Sequence, residues 1–303
     1  MCIGDAPVSR SRELAKELVL ADSDRGNSRT SVIASEERFE FGANWTKFLA
    51  SVDDVRISAA QDSLKYMLNV ETLAGLTFLD VGSGSGLFSL AAKLLGARVY
   101  SFDFDPLSVA CTAELRRRYF PGDEKWFVGQ GSVLDRAYMD GLDRFDVVYS
   151  WGVLHHTGAM WQALENVTER VSPDGKLFIA IYNDQGRASH WWKTIKCLYN
   201  RLPHGMKWLV LLPAFGRLWG PTLMRDLLCG RPLRSWSLYG AERGMTPWRD
   251  VVDWVGGYPF EVAKPEEIFE FLRGKGLYLE KLKTCAGGLG CNEFVCVRQV
   301  SCV

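Results

Sequence analysis

The sequence predicts an α/β fold, a doubly wound, mostly parallel sheet of seven strands that closes in a C-terminal antiparallel hairpin. Three observations predict it. Short apolar runs alternate with helical periodicity between about residues 77 and 182, which is the pattern of a parallel sheet covered by helices on both faces. A glycine-rich turn, Gly82-Ser83-Gly84-Ser85-Gly86, follows the first of those runs and opens a helix. Near the C-terminus two further apolar runs, 277–285 and 292–300, flank Ala286-Gly287-Gly288-Leu289-Gly290, which reads as a hairpin turn.

The elements follow in order. Residues 1–36 are polar and charged and read as a flexible tail with one short helix near Glu13 to Leu20. Phe41, Trp45, Phe48, Leu49 and Val52, then Ile57, Leu64 and Leu68, recur at helical spacing and predict helices over the ligand end of the sheet. Strands are expected at 77–82, 98–103, 125–130, 145–150 and 176–182. Helices are expected near 86–95, 107–118, 135–140, 158–171 and 265–275. Asp105 followed by Pro106 reads as an N-cap and first helical position. The core is then 37–182 plus 259–303. The roughly 76 residues between, 183–258, are too many for a loop and predict a largely helical insertion. It holds seven of the eleven tryptophans and eleven Lys/Arg against five Asp/Glu, around an apolar centre from Trp208 to Phe215.

Composition excludes some functions. Lys+Arg and Asp+Glu balance at 36 each, which argues against a protein built mainly to bind nucleic acid. No apolar run reaches the ~18 residues of a membrane span, and Met1-Cys2-Ile3-Gly4-Asp5 lacks the pattern of a signal peptide, so a cytoplasmic protein is expected. The eight cysteines form no C-x-x-C and only four histidines accompany them, so no metal site is expected. Four cysteines fall in the last twenty residues. They read as reduced thiols on buried strands, with a thiol or metalloid site as the lesser alternative.

Glycine spacing carries the functional reading. A dinucleotide fingerprint places its third glycine one residue later than Gly86, where this chain has Leu87. Leu79-Asp80-Val81-Gly82-Ser83-Gly84-Ser85-Gly86 instead resembles the D-x-G-x-G-x-G signature of class I S-adenosylmethionine-dependent methyltransferases, and Gly152-Val153-Leu154-His155-His156 resembles the stretch after strand four in the ubiquinone and menaquinone methylases. The resemblance covers about 77–182 and, loosely, the closing hairpin. It implies a Rossmann-like sheet and S-adenosylmethionine as cofactor. It implies that Gly82, Gly84 and Gly86 admit the donor's methionine part close to backbone, with Asp80 toward the ammonium. Asp103, 23 residues after Asp80, is the acid expected at the ribose hydroxyls. Ser132 and Val133 match the adenine loop by position, although relatives more often carry an acid at Ser132. Ser150, at the end of strand four, joins the expected cofactor contacts. Arg56 is either a clamp for the donor's carboxylate or a surface helix residue. Trp45 either closes over the cofactor or belongs to the core.

His155 and His156 follow strand four at the ligand end of the sheet. One is a general base for a hydroxyl acceptor, or both are structural. The acceptor pocket is assigned to the insertion and its flanks. Tyr182, Asn183, Arg243, Asp250, Asp253, Trp254 and Tyr258 are candidates for substrate contact or for internal packing. The expected reaction is methylation of a small molecule, at a phenol- or quinol-like hydroxyl, in an aromatic-lined and partly basic pocket. N- or C-methylation of another metabolite or saccharide is one alternative, and a non-catalytic donor-binding protein is another. Nucleic acid is not an expected partner, because no N/D-P-P-Y/F motif follows strand four. The apolar segment 203–222, flanked by Arg201, Lys207 and Arg217, is expected to rest on a membrane surface if the acceptor is lipophilic.

Overall fold

A computed structural model describes residues 52–243 and 247–299. The tail at 1–36, the first capping helices, Trp45, Cys2 and Cys302 lie outside them, as do the side chain of Arg243 and residues 244–246.

Helix α1 (Asp54–Leu68) leads into the sheet, capped by Asp53, whose side chain accepts from Arg56 N–H. Then come β1 (Thr77–Val81), α2 (Leu87–Leu94), β2 (Arg98–Asp103), α3 (Pro106–Tyr119), β3 (Trp126–Gln130), α4 (Arg136–Asp140) and β4 (Phe145–Trp151). A 3₁₀ turn at Leu154–His156 precedes α5 (Met160–Thr168) and β5 (Val171–Tyr182). Four helices occupy the insertion: α6 (Arg187–Arg201), α7 (Trp208–Leu228), α8 (Arg234–Arg243) and α9 (Pro247–Gly256). The chain closes with α10 (Pro265–Gly274), β6 (Leu277–Lys283) and β7 (Cys291–Arg298). Asp105 caps α3 through Leu107 N–H at 2.9 Å, with Pro106 next.

The strand order is β3-β2-β1-β4-β5-β7-β6. The first five strands pair in parallel, and β7 runs antiparallel to both β5 and β6. Winding reverses between β1 and β4, so the crevice at their C-terminal ends is where a ligand belongs. The largest shift from the expected boundaries falls before β5. The helix expected to reach 171 ends at Thr168, and β5 starts at Val171 rather than 176. Pro173-Asp174-Gly175 cannot continue a helix, and a bulge between Phe145 and Val147 absorbs the extra residues while Val171 still pairs with Phe145.

Alternation along β1 divides the core. Phe78 packs with Trp126, Phe178 and Val295 on the α1–α2 face, whereas Leu79 packs with Val148, Ile179 and Phe294 on the other. Phe78 and Phe178 are essentially unexposed, and truncating either to Ala would cost about 3–5 kcal/mol. The insertion builds its own cluster from Trp192, Tyr199, Leu211, Trp219, Val251, Val255 and Phe260. Among the described residues no helix is long and apolar enough to cross a membrane.

Candidate functional site

A cavity of about 1190 Å³ opens over the C-terminal ends of β1, β2 and β4 and extends beneath the insertion. Single-ligand pockets are typically ~300–1,000 Å³, so this one has room for a donor and an acceptor together.

The glycine loop forms one end. Gly82, at φ 77°, is held by its N–H to Phe102 O, and a Cβ there would stand 2.4 Å from Val153 Cγ1. Gly84, at φ 54°, donates its N–H to Asp103 Oδ2 at 2.9 Å. Gly86 does a different job from the one the motif implied. It caps α2 at φ 81° and does not line the cavity; a Cβ would meet Thr112 Cα at 2.8 Å, so the third glycine lets α2 pack on α3.

Asp103 ends β2 on the cavity wall. Its Oδ1 accepts from Asp105 N–H at 2.9 Å, and burial pushes the carboxyl up to about 6. Each oxygen keeps a further lone pair, as two ribose hydroxyls require. Asp80 lies deeper, 2% exposed, where burial and the Asp103 charge push it up to about 7 against the bond from Ser89. Ser89 Oγ donates to Asp80 Oδ2 at 2.5 Å and lies 2.7 Å from Ser101 Oγ, which in turn accepts from Trp126 Nε1 at 3.0 Å. A serine has one proton to give. With Ser89 donating to Asp80, Ser101 must donate to Ser89, so the chain runs one way from Trp126 to the carboxylate. Ser89, Ser101 and Trp126 were not expected to serve the site. The available signal was register: Ser101 pairs with Asp80 across the sheet, and a buried acid needs donors.

Val133, Phe104, Pro106 and Leu107 form an apolar wall on the cavity beside Asp103, with the polar Ser132 among them. Besides Gly86, four expected contacts do not reach the wall. Ser150 is fully buried and its hydroxyl ties β4 to β1 through Val81 O at 2.9 Å. Arg56 pairs with Asp53 at 2.5 Å. Asn183 binds Asn292 Nδ2 at 3.0 Å and Gly288 O at 3.4 Å, so it fastens β5 to the hairpin. His155 is unexposed behind Tyr182, whose ring centroid lies 3.8 Å away. Burial first, then His156 and Lys196, holds its imidazole neutral, well below the usual range.

His156 does line the cavity. Its Nδ1 is 2.6 Å from Pro259 O, which only accepts, so Nδ1 carries the proton and Nε2 is the acceptor end of the ring. Burial and the neighbouring Lys196 lower it to about 3, so it is neutral at working pH. Lys196 is fully buried on α6, donates to Trp254 O, and stands 4.2 Å over the Trp254 ring and 4.7 Å over Phe260. Burial holds its ammonium well below the usual lysine range.

The far half of the cavity is walled by Trp151, Tyr182, Leu218, Asp250, Asp253, Trp254 and Tyr258, with Lys283, Cys285, Cys291 and Glu293 from the hairpin. The basic group on this wall, Lys283, comes from the hairpin and not from the insertion. Among the described residues the insertion contributes Leu218, two aromatics and two carboxylates; Asp250 and Asp253 are one turn apart and share a face. Tyr149 also reaches the wall, with its hydroxyl buried and unpaired between the charges of Asp80 and Glu293. No group of three or more metal-ligating side chains occurs among the described residues.

A parallel sheet with one reversed strand near its edge, a glycine loop after β1 and an acid ending β2 together form the crevice of a doubly wound, nucleoside-binding type of fold. The methyltransferase domain family matches residues 79–177. The mitochondrial ubiquinone biosynthesis O-methyltransferase of Bos taurus is 27% identical over 139 residues, 45% of this chain and 37% of that protein. The tRNA U34 carboxymethyltransferase of Cronobacter sakazakii is 32% identical over 112 residues, 37% of this chain and 33% of that protein. The chain thus spans less than half the length of these two relatives. An O-methyltransferase family protein from Burkholderia thailandensis shares the fold at a TM-score of 0.51 and 13% identity, over 97% of this chain and 72% of that one. Residues 79–177 thus carry a methyltransferase domain, and over that span the chain is similar to the class I S-adenosylmethionine-dependent methyltransferases.

Proposed function

We propose that the chain transfers a methyl group from S-adenosylmethionine to a hydroxyl of a small-molecule acceptor. The observation that carries the hydroxyl reading is the orientation of His156, which lines the cavity and whose Nδ1–H is committed to Pro259 O. Bound S-adenosylmethionine supplies a methyl already activated on a sulfonium. The chain's residues then have three tasks: Asp103 and Asp80 hold the donor, the aromatic walls align the acceptor and exclude water, and His156 takes the acceptor's proton at Nε2. A weakly basic imidazole suffices, because a hydroxyl oxygen becomes strongly acidic as its bond to the methyl carbon forms. N- or C-methylation of another metabolite or saccharide, or donor binding without turnover, are the competing readings.

The test incubates the full chain with S-adenosylmethionine and a panel of phenols, sugars and amines, following S-adenosylhomocysteine release and the methylated product by mass spectrometry. Methylation of hydroxyl acceptors, abolished in His156→Gln, is expected. Turnover only on amines or carbon acids, untouched by His156→Gln, overturns the hydroxyl reading. Failure to bind S-adenosylhomocysteine in calorimetry overturns the donor.

A further inference from the structure

Helix α7 has apolar residues on both of its sides. Leu211, Ala214 and Trp219 face the insertion's own core, and Leu218 reaches the cavity wall. A surface helix normally carries charges on the opposite side. Here that side presents Leu209, Leu212, Pro213, Gly216, Met224 and Leu227, which helical spacing brings to one flank. Leu212 is 54% exposed and Leu227 61%, and Trp208 at the start of the helix is 55% exposed. At 21 residues the helix lays this flank along roughly 30 Å of surface.

Charge decides what covers it. Residues 204–238 hold five Lys/Arg (Lys207, Arg217, Arg225, Arg231 and Arg234) and a single acid, Asp226. That acid is buried, accepts from Ser235 N–H and Oγ and faces the charges of Arg225 and Arg234, so the segment keeps a cationic excess after Asp226 is counted against them. A second copy of the chain would bring like charge against like charge. Nucleic acid matches the cations but not an aliphatic ridge. An anionic bilayer surface matches both, with aliphatics entering the headgroup boundary and cations meeting the phosphates.

We propose that the outer flank of α7, with the basic turn leading into α8, docks the protein on an anionic lipid surface. The docking does not depend on which acceptor is methylated. It places the outside of the helix whose inside carries Leu218 against the lipid, so the cavity lies one helix away from the bilayer.

The experiment is cosedimentation of the full chain with phosphatidylglycerol-containing vesicles and with pure phosphatidylcholine vesicles. Binding to the first, weakened by salt, and little binding to the second are expected. Leu209→Ser/Leu212→Ser/Leu227→Ser should abolish sedimentation. Arg217→Glu/Arg225→Glu should lower the partition coefficient by about tenfold or more. Retained S-adenosylhomocysteine affinity shows that each variant is folded; a variant that loses it is replaced by Leu212→Ser alone. Equal binding to both vesicle types, or none to either, overturns the proposal. A salt-stable dimer in ultracentrifugation that dissociates in the Leu→Ser variant overturns it in favour of self-association. Binding to single-stranded RNA that displaces vesicles and is unaffected by the Leu→Ser changes overturns it in favour of nucleic acid.

Discussion

The Gly84 N–H donates to Asp103 Oδ2 at 2.9 Å, so the acid that ends β2 also holds the glycine loop in place. Asp103→Ala therefore removes a loop tether together with the proposed ribose acceptor. S-adenosylhomocysteine affinity by calorimetry should fall by about 1–3 kcal/mol. Asp103→Asn keeps an oxygen for Gly84 and should lose less; equal losses in both variants would assign the whole effect to charge.

Donor binding should depend on pH in a direction opposite to stability. Asp103 is pushed up to about 6 and Asp80 to about 7, both chiefly by burial. The ionised forms hold a cationic donor, so affinity should rise as pH rises through that window and level off above it. A carboxyl raised above its unfolded value opposes folding once ionised. Its contribution to stability is greatest below the unfolded value and is lost as pH rises through 6 and 7. Calorimetry and thermal melts at about pH 5 and about pH 8 should therefore move in opposite senses; parallel movement would remove these two carboxyls as the cause.

Gly86→Ala should destabilise the fold. The position has φ 81°, and a Cβ would meet Thr112 Cα at 2.8 Å. Gly75, at φ 83°, has nothing within 4 Å, so Gly75→Ala measures the backbone strain alone. Gly86→Ala should cost about 1–3 kcal/mol more than this control in chemical denaturation, since α2 must shift off α3.

His156→Gln should lower kcat by ~100-fold or more while leaving donor affinity intact. Because burial lowers His156 to about 3, the wild-type rate should show no imidazole inflection near neutrality. An inflection near the ordinary histidine value that vanishes in His156→Gln would contradict a buried, neutral ring.

Lys196→Met should stabilise the protein at neutral pH by on the order of 1 kcal/mol. Burial holds the Lys196 amine well below its unfolded value, so folding favours the neutral form. Wild-type stability should then rise as pH climbs toward the unfolded lysine range, and Lys196→Met should flatten that slope. An unchanged slope in thermal melts would mean the charge is accommodated by the Trp254 and Phe260 rings.

Much of the core was legible because its signals are local. Asp105-Pro106 fixes the start of α3, and the apolar alternation of β1 and β2 fixes two strands to within a residue. The glycine spacing and Asp103 lie within one strand–helix–strand unit, so their proximity follows from the unit itself. What was illegible depends on packing across the sheet or between distant segments. Ser150 looked available at a strand end, yet its hydroxyl meets Val81 O. His155 and His156 are adjacent in sequence, but only their contacts with Tyr182 and Pro259 separate a buried ring from one on the cavity wall. The insertion's net basic count gave no indication that Asp250 and Asp253 line the cavity while most of its described cations are exposed.

The one-way chain from Trp126 through Ser101 and Ser89 to Asp80 spans three neighbouring strands and a helix. It makes the evolutionary histories of these four positions interdependent. Trp126→Phe would remove the donor to Ser101 Oγ and leave that buried oxygen short of a partner, and the harm from altering Asp80 should differ in that background. Drift at an indole remote from the ligand can thus close or open mutational routes at the grip itself, and double-mutant cycles between Trp126 and Asp80 should depart from additivity.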